Sequence, residues 1–174
     1  MIEELTAATL PAALPELAAL LRACVDDGAS IGFLPPLAEA EALAFWQGLC
    51  PAIAEGSRRL LVARRDGRIL GTGSLCPAGL PNGRHRAEIS KLMVHPAARR
   101  LGLGRALMRA LEALAAREGR WLLVLDTLTG DAGEALYRGL GWQEAGQVPD
   151  YALLPRDGVL GTAATTVMFK RLAA

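Results

Sequence analysis

The stretch AEISKLMVHPAARRLGLGRALMRALEAL, Ala87 to Leu114, decides how the rest of the chain is read. It divides into a strand, a loop rich in arginine and glycine, and a helix with apolar residues at helical spacing. Arg99, Arg100, Gly102, Gly104 and Arg105 crowd the start of that helix. A helix N-terminus carries unpaired N–H groups and about half a unit of positive charge, so it attracts phosphate. Glycine lets a phosphate approach the backbone, and arginine adds charge and forked hydrogen bonds. The cluster therefore predicts a bound pyrophosphate.

Upstream of this segment, RLLVARRDGRILGTGSL (residues 59–75) reads as two β-runs joined at Asp66-Gly67, a strong hairpin signal. The strand RAEISKLMV follows a turn at Asn82-Gly83. Residues 2–9 predict a short first strand. Leucines 14, 17, 20 and 21 predict a helix from Pro11 to about Val25, with Pro15 fitting only its first turn. DDGASIGFLPPL (Asp26 to Leu37) reads as a loop, and a second helix is expected from about Ala38 to Ala54, closed by Gly56. Downstream, the central helix is expected from Leu103 to Arg117. WLLVLDT (residues 121–127) reads as a buried strand and DAGEALYRGLG (residues 131–141) as a short helix. WQEAGQVPDYALL and GTAATTVMFKRL read as the last two strands. The order predicts one α/β (α+β) domain over residues 1–174. A single mixed, mostly antiparallel sheet is flanked by helices, with one crossover helix at its centre.

With 174 residues, 52% of them hydrophobic, the chain can bury a sizeable core. Its 19 basic and 18 acidic residues nearly cancel, which argues against a dedicated nucleic-acid surface. Cys24, Cys50 and Cys76 are widely spaced and form no C-x-x-C, so they read as small buried hydrophobes rather than disulfide partners or zinc ligands. His85 and His95 have no ligating neighbours at metal-site spacing, and no metal is expected. MIEELTAATL lacks the basic and apolar regions of a signal peptide, and no run is long enough to span a bilayer. A cytoplasmic protein without membrane or nucleic-acid partners is expected.

Three phosphate-binding loops compete for the central segment. A triphosphatase loop needs G-x-x-x-x-G-K-[ST], and no lysine follows either glycine. A dinucleotide fold also places a strand before the loop, and Asp126 mimics its acidic residue, but Leu107 stands where its third glycine belongs. The third possibility rests on R-R-L-G-L-G-R (residues 99–105), K-L-M-V-H-P (residues 91–96), A-L-M-R-A-L-E (residues 106–112) and E-A-L-Y-R-G-L-G-W (residues 134–142). In that order and spacing they resemble the GCN5-related N-acetyltransferase (GNAT) superfamily, whose signature reads [QR]-x-x-G-x-[GA]. DGASIGFL (residues 27–34), NGRHRAEISKLMV (residues 82–94) and LDTLTGDAGEALY (residues 125–137) further resemble the tabtoxin-resistance acetyltransferases, which acetylate a β-lactam amino acid.

The resemblance implies an acetyl-CoA-dependent N-acetyltransferase acting by direct attack in a ternary complex. The acceptor is expected to be a small, amino-acid-like primary amine of tabtoxinine type, which would make antibiotic resistance a possible role. A protein or peptide acetyltransferase and a non-catalytic acyl-CoA sensor are the alternatives. It implies that the backbone of Met93 and Val94 binds the pantetheine arm where the strand splays from its neighbour. Arg99 and the main-chain N–H groups of Arg100, Leu101, Gly102, Leu103, Gly104 and Arg105 are expected to hold the pyrophosphate.

Glu88 stands where family members often carry a catalytic glutamate. Alternation puts it on one face with Ser90, Leu92 and Val94, where partial burial would make it a better base. The competing role is an ion pair with Arg84 or Arg86. Asp126 ends an apolar strand beside the crevice. It is expected either to act as a second base or substrate anchor, or to cap the next helix in competition with Thr127 and Asp131. Tyr137 occupies the family's tyrosine position, where its phenol would protonate the thiolate unless it only packs the core. The family's asparagine is replaced by Gly130, so its contact is lost or taken by Asp131. Asp27, Ser30, Phe33 and Tyr151 are expected in loops that rim the acceptor pocket. A monomer or a homodimer is compatible with the pattern.

Overall fold

In the computed structural model, which describes residues 1–156 and 159–173, seven strands form one sheet in the order β1-β2-β3-β4-β5-β7-β6. Its chain order is β1 (Ile2–Leu5), α1 (Leu10–Asp26), α2 (Glu39–Gln47), α3 (Cys50–Ala54), β2 (Arg59–Arg65), β3 (Arg68–Pro77) and β4 (Arg86–Val94). There follow α4 (Leu103–Arg117), β5 (Leu122–Leu128), α5 (Ala132–Arg138), β6 (Gln143–Arg156) and β7 (Val159–Arg171). Every pairing is antiparallel except that of β4 with β5, which α4 connects as the crossover.

The expected fold class is therefore present, with three local differences. The first strand stops at Leu5, because Thr6 and Thr9 bond each other's backbone and side chains in a turn that launches α1. Pro15 lies inside α1 rather than in its first turn; the helix tolerates it at the loss of one donor near its start. The expected helix from Ala38 to Ala54 is two helices, broken at Gly48 and Leu49. Pro51 stands near the start of the second, where its missing N–H is not needed.

Strand alternation divides the core. Leu60, Val62, Ile69 and Met93 pack with Leu10, Leu17, Leu20, Leu21 and Trp46 of α1 and α2. Leu61, Ala63, Leu75, Ala87 and Ile89 pack on the opposite face with Leu107, Met108, Leu111 and Leu114 of α4. Gly71 and Gly73 bring α4 down onto β3. A Cβ at Gly71 would meet Leu107 Cδ1 and the Met93 carbonyl oxygen at 3.0 Å, and one at Gly73 would meet Leu111 Cδ1 at 2.7 Å. Gly71→Ala should therefore cost about 1–3 kcal/mol by overpacking, read as a lower urea midpoint with an unchanged slope.

Candidate active site

The loop between β4 and α4 has a defined backbone. His95 accepts the Ala97 N–H on Nδ1 and closes a short 3₁₀ turn over Pro96–Ala98. Arg100 and Gly102 take left-handed φ values of 61° and 81°, and Gly102 is the N-cap of α4. Glycine has no side chain to cap the helix, so the first-turn donors have no local acceptor. Among the described residues, none of the main-chain N–H groups from Arg100 to Arg105 donates to another protein group. A Cβ built on Gly102 would meet nothing within 4 Å, whereas one on Gly104 would press on Leu136 Cδ2 at 3.2 Å. Gly102 thus leaves room above the amides, and Gly104 lets α4 seat against α5.

Beside this turn the sheet opens. β4 and β5 pair only over Arg86–Leu122, Ala87–Leu123 and Glu88–Val124. Beyond that point β4 stays on β3 as far as Val94, and β5 stays on β7 as far as Leu128. The edge of β4 that carries Met93 and Val94 is thereby left without a strand on its β5 side, the splay that the resemblance implied. Cys24 donates its thiol to the Val94 carbonyl at 3.5 Å, and burial pushes the thiol pKa up to about 11.

A bulge changes which side chains enter the crevice. Between Thr72–Met93 and Ser74–Ser90 the register shifts, and Lys91 takes a φ of 53°. Strict alternation would put Leu92 and Val94 with Glu88; instead Leu92 packs with the α4 core and Val94 lies near Gly104. Glu88 shares its face with Ser90 and, beyond the bulge, Met93. It is exposed rather than partly buried, because β5 turns away just beyond it. It forms no ion pair with Arg84 or Arg86.

Asp126 is also exposed, on the β5 side of the opening, and its Oδ2 accepts the Thr165 hydroxyl at 3.1 Å. It does not cap α5. Asp131 does, accepting the Glu134 N–H at 2.8 Å, and is thus committed within the protein. Glu134 reaches back to the Gly130 N–H at 2.6 Å and also accepts from Arg138 and Thr166. The Gly130 amide and then Arg138 hold its carboxyl below the usual 4.5. Tyr137 is 7% exposed and packs beside Trp142, and its hydroxyl makes no hydrogen bond among the described residues. Burial raises its pKa, so it stays protonated at neutral pH.

The acceptor-loop residues divide. Asp27 ends α1 and forms an ion pair with Arg99, tying it to the phosphate-type loop instead of the acceptor pocket. Ser30 is half-buried. Phe33 stacks edge-on with Phe45 at 5.1 Å beneath the Lys91 ammonium. Tyr151 is not in a loop: it belongs to β6, beside a register shift between Val148 and Ala152, and is 57% exposed. Strand pairing with β7 continues through the turn-like PD dipeptide because the bulge absorbs it. Two open hollows of about 490 and 430 Å³ lie around Glu55 and Gly56, away from these groups.

The family model described as "Acetyltransferase (GNAT) family" matches residues 18–142. The chain belongs to the GNAT family. A GCN5-related N-acetyltransferase from Kribbella flavida is 27% identical, with 99% of this chain and 97% of that chain covered at a TM-score of 0.78. A ribosomal-protein-alanine N-acetyltransferase from Brucella melitensis is 25% identical over 99% of each chain, with a TM-score of 0.74. A phosphinothricin acetyltransferase from Sinorhizobium meliloti, solved in complex with AcCoA, shares the fold at 21% identity and a TM-score of 0.77, covering 99% and 88%.

Four residues of this GNAT chain escaped the sequence reading. The Asp131-x-x-Glu134 spacing is a capping-box pattern and could have flagged Glu134. Arg58, Lys91 and Thr165 carried no such signal: Arg58 meets the Ser90 hydroxyl from a segment distant in sequence, and a bulge and strand register place the other two. Glu134→Gln should lower the melting temperature at neutral pH. A carboxyl held low in the native state stabilises above its unfolded value and loses that effect as pH falls through the native one. The gap between wild type and Glu134→Gln should therefore close below about pH 4, as followed by thermal melts across pH.

Proposed function

We propose that this chain is one acetyltransferase domain that transfers acetyl from acetyl-CoA to the primary amine of a small, amino-acid-like acceptor, both substrates being bound together. The single observation that carries this reading is the opening of β4 from β5 beside an uncapped helix N-terminus. The free strand edge at Met93 and Val94 fits a pantetheine arm adding as a further strand. The unpartnered amides of Arg100 to Arg105, with Arg99 alongside, fit a pyrophosphate. Bound there, acetyl-CoA supplies an activated thioester to a neutral amine.

The chain's own groups supply the remaining chemistry. Glu88 and Asp126 flank the opening as exposed carboxylates that can take a proton from an ammonium acceptor, directly or through water. Tyr137, protonated at neutral pH and with a free hydroxyl, suits a proton donor to a departing thiolate. Ser30 and Phe33 rim the acceptor side. Asp27 supports the site by holding Arg99, and Tyr151 would reach an acceptor only from the β6 arm. The resemblance to tabtoxin-resistance enzymes and the phosphinothricin acetyltransferase neighbour both support an amino-acid-like acceptor. The Brucella neighbour supports a protein N-terminus as the second reading. No helix of the described residues is long and apolar enough to cross a membrane.

Thiol release from acetyl-CoA should be followed over amines that include tabtoxinine-β-lactam, phosphinothricin and alanine-terminated peptides. Small amines are expected to turn over and peptides not. Glu88→Gln, Asp126→Asn and Tyr137→Phe should each lower kcat, by up to about 10²-fold, with acetyl-CoA affinity kept. Gly102→Val should weaken acetyl-CoA binding instead, measured by calorimetry, because a β-branched residue resists that φ and fills the space above the amides. Cofactor binding without turnover of any amine would favour an acyl-CoA sensor.

A further inference from the structure

The crevice contains two cations that the reaction leaves unexplained. Arg58, just before β2, donates from Nη1 to Ser90 Oγ at 3.2 Å. Lys91 is the next residue along β4, brought to the crevice face by the bulge. Its ammonium donates to the Ile31 carbonyl at 2.6 Å and lies 5.8 Å and 5.5 Å from the ring centres of Phe33 and Phe45. One of its three N–H groups is thereby used. We propose that Arg58 and Lys91 form a carboxylate-binding subsite, so that the acceptor is an α-amino acid or analogue presented as a zwitterion. The inference rests on the acetyltransferase reading above and narrows its substrate class.

The charge pattern of the protein supports this assignment. Three of its other half-buried arginines are paired with carboxylates, Arg22 with Glu39, Arg59 with Glu4 and Glu118, and Arg64 with Glu3 and Glu16, while Arg120 donates to the Arg84 carbonyl far from this crevice. Arg58 and Lys91 are comparably buried, yet neither has a carboxylate within 4.0 Å among the described residues. Among the described residues, Glu88 and Asp126 likewise have no cation within that distance, and Asp126 accepts from the Thr165 hydroxyl. The crevice thus holds opposite charges near one another without letting them pair. An ammonium would complete the acidic side and a carboxylate the basic side.

Local structure is spent on keeping the lysine there. A left-handed φ is unfavourable for a lysine, and without the bulge alternation would aim this residue at the α4 core. Gly32 allows the ammonium to approach the loop, since a Cβ there would lie 3.1 Å from Nζ. Burial, and then the neighbouring Arg58 charge, lower the Lys91 pKa. An anion between the two cations would relieve that repulsion.

The test compares matched acceptors in the thiol-release assay: the common L-amino acids, phosphinothricin and tabtoxinine-β-lactam, each beside its carboxamide. Wild type should prefer the carboxylate of the best pair by about 10- to 100-fold in kcat/KM, the range of a charged hydrogen bond. Arg58→Gln and Lys91→Met should each bring that preference below about 3-fold, chiefly through acceptor KM, with acetyl-CoA affinity retained. Arg58→Lys should keep part of the preference, since it keeps the charge but not the fork. A wild type that turns over carboxamides as well as carboxylates overturns the subsite alone. Equal losses on both acceptors in Arg58→Gln also overturn it, by showing a structural role. If a variant does not fold, the wild-type comparison still decides. No turnover of any amine overturns the acetyltransferase reading together with the subsite.

Discussion

The constraint on which the site depends is the early end of one strand pairing. β4 and β5 are the only parallel neighbours in the sheet, and they share three register pairs before separating. Each then keeps its outer partner, so the sheet is not broken: β4 remains on β3 and β5 on β7. An unpaired backbone edge in a protein interior is costly unless something satisfies it. A strand edge left open next to uncapped helix amides is consequently a place built for a ligand with its own hydrogen-bonding groups, and α4 lies beside it because it is the crossover between those two strands.

The bulge at Lys91 is the second device, and it works on side chains instead of backbone. It lets Ser90 and Lys91 both serve the crevice, then returns Leu92 to the α4 core and Met93 to the α1 core. The crevice therefore receives polar groups from the middle of a central strand without depriving either core of its apolar residues. The same element carries the expected thioester-facing backbone at Met93 and Val94. Loop 28–34 is fastened to this strand through the Ile31 carbonyl and the Phe33 ring.

The division of labour among the acidic residues follows from hydrogen bonding. Asp131 and Glu134 resemble catalytic candidates in composition, but both are consumed in starting α5. Asp126 and Glu88 have less to hold and are exposed. Asp27 was expected at the acceptor pocket, yet its carboxylate is engaged by Arg99, so acceptor loop and phosphate-type loop are mechanically joined.

Periodicity and turn chemistry in the sequence were enough to determine the bounds of β4 and α4, the hairpin at Asp66-Gly67 and the single mixed sheet. These are local properties: a helix or strand announces itself through spacing, and glycine through the backbone angles that it alone takes cheaply. Tertiary structure decided which side chains meet. The exposure of Glu88 depends on where β5 leaves β4, and the convergence of Arg58 with Lys91 on one bulge. A bulge inserts a residue that pairs with nothing, and in doing so it reverses the facing of every side chain beyond it. Spacing along a chain does not record where that reversal occurs; only the partner strand does.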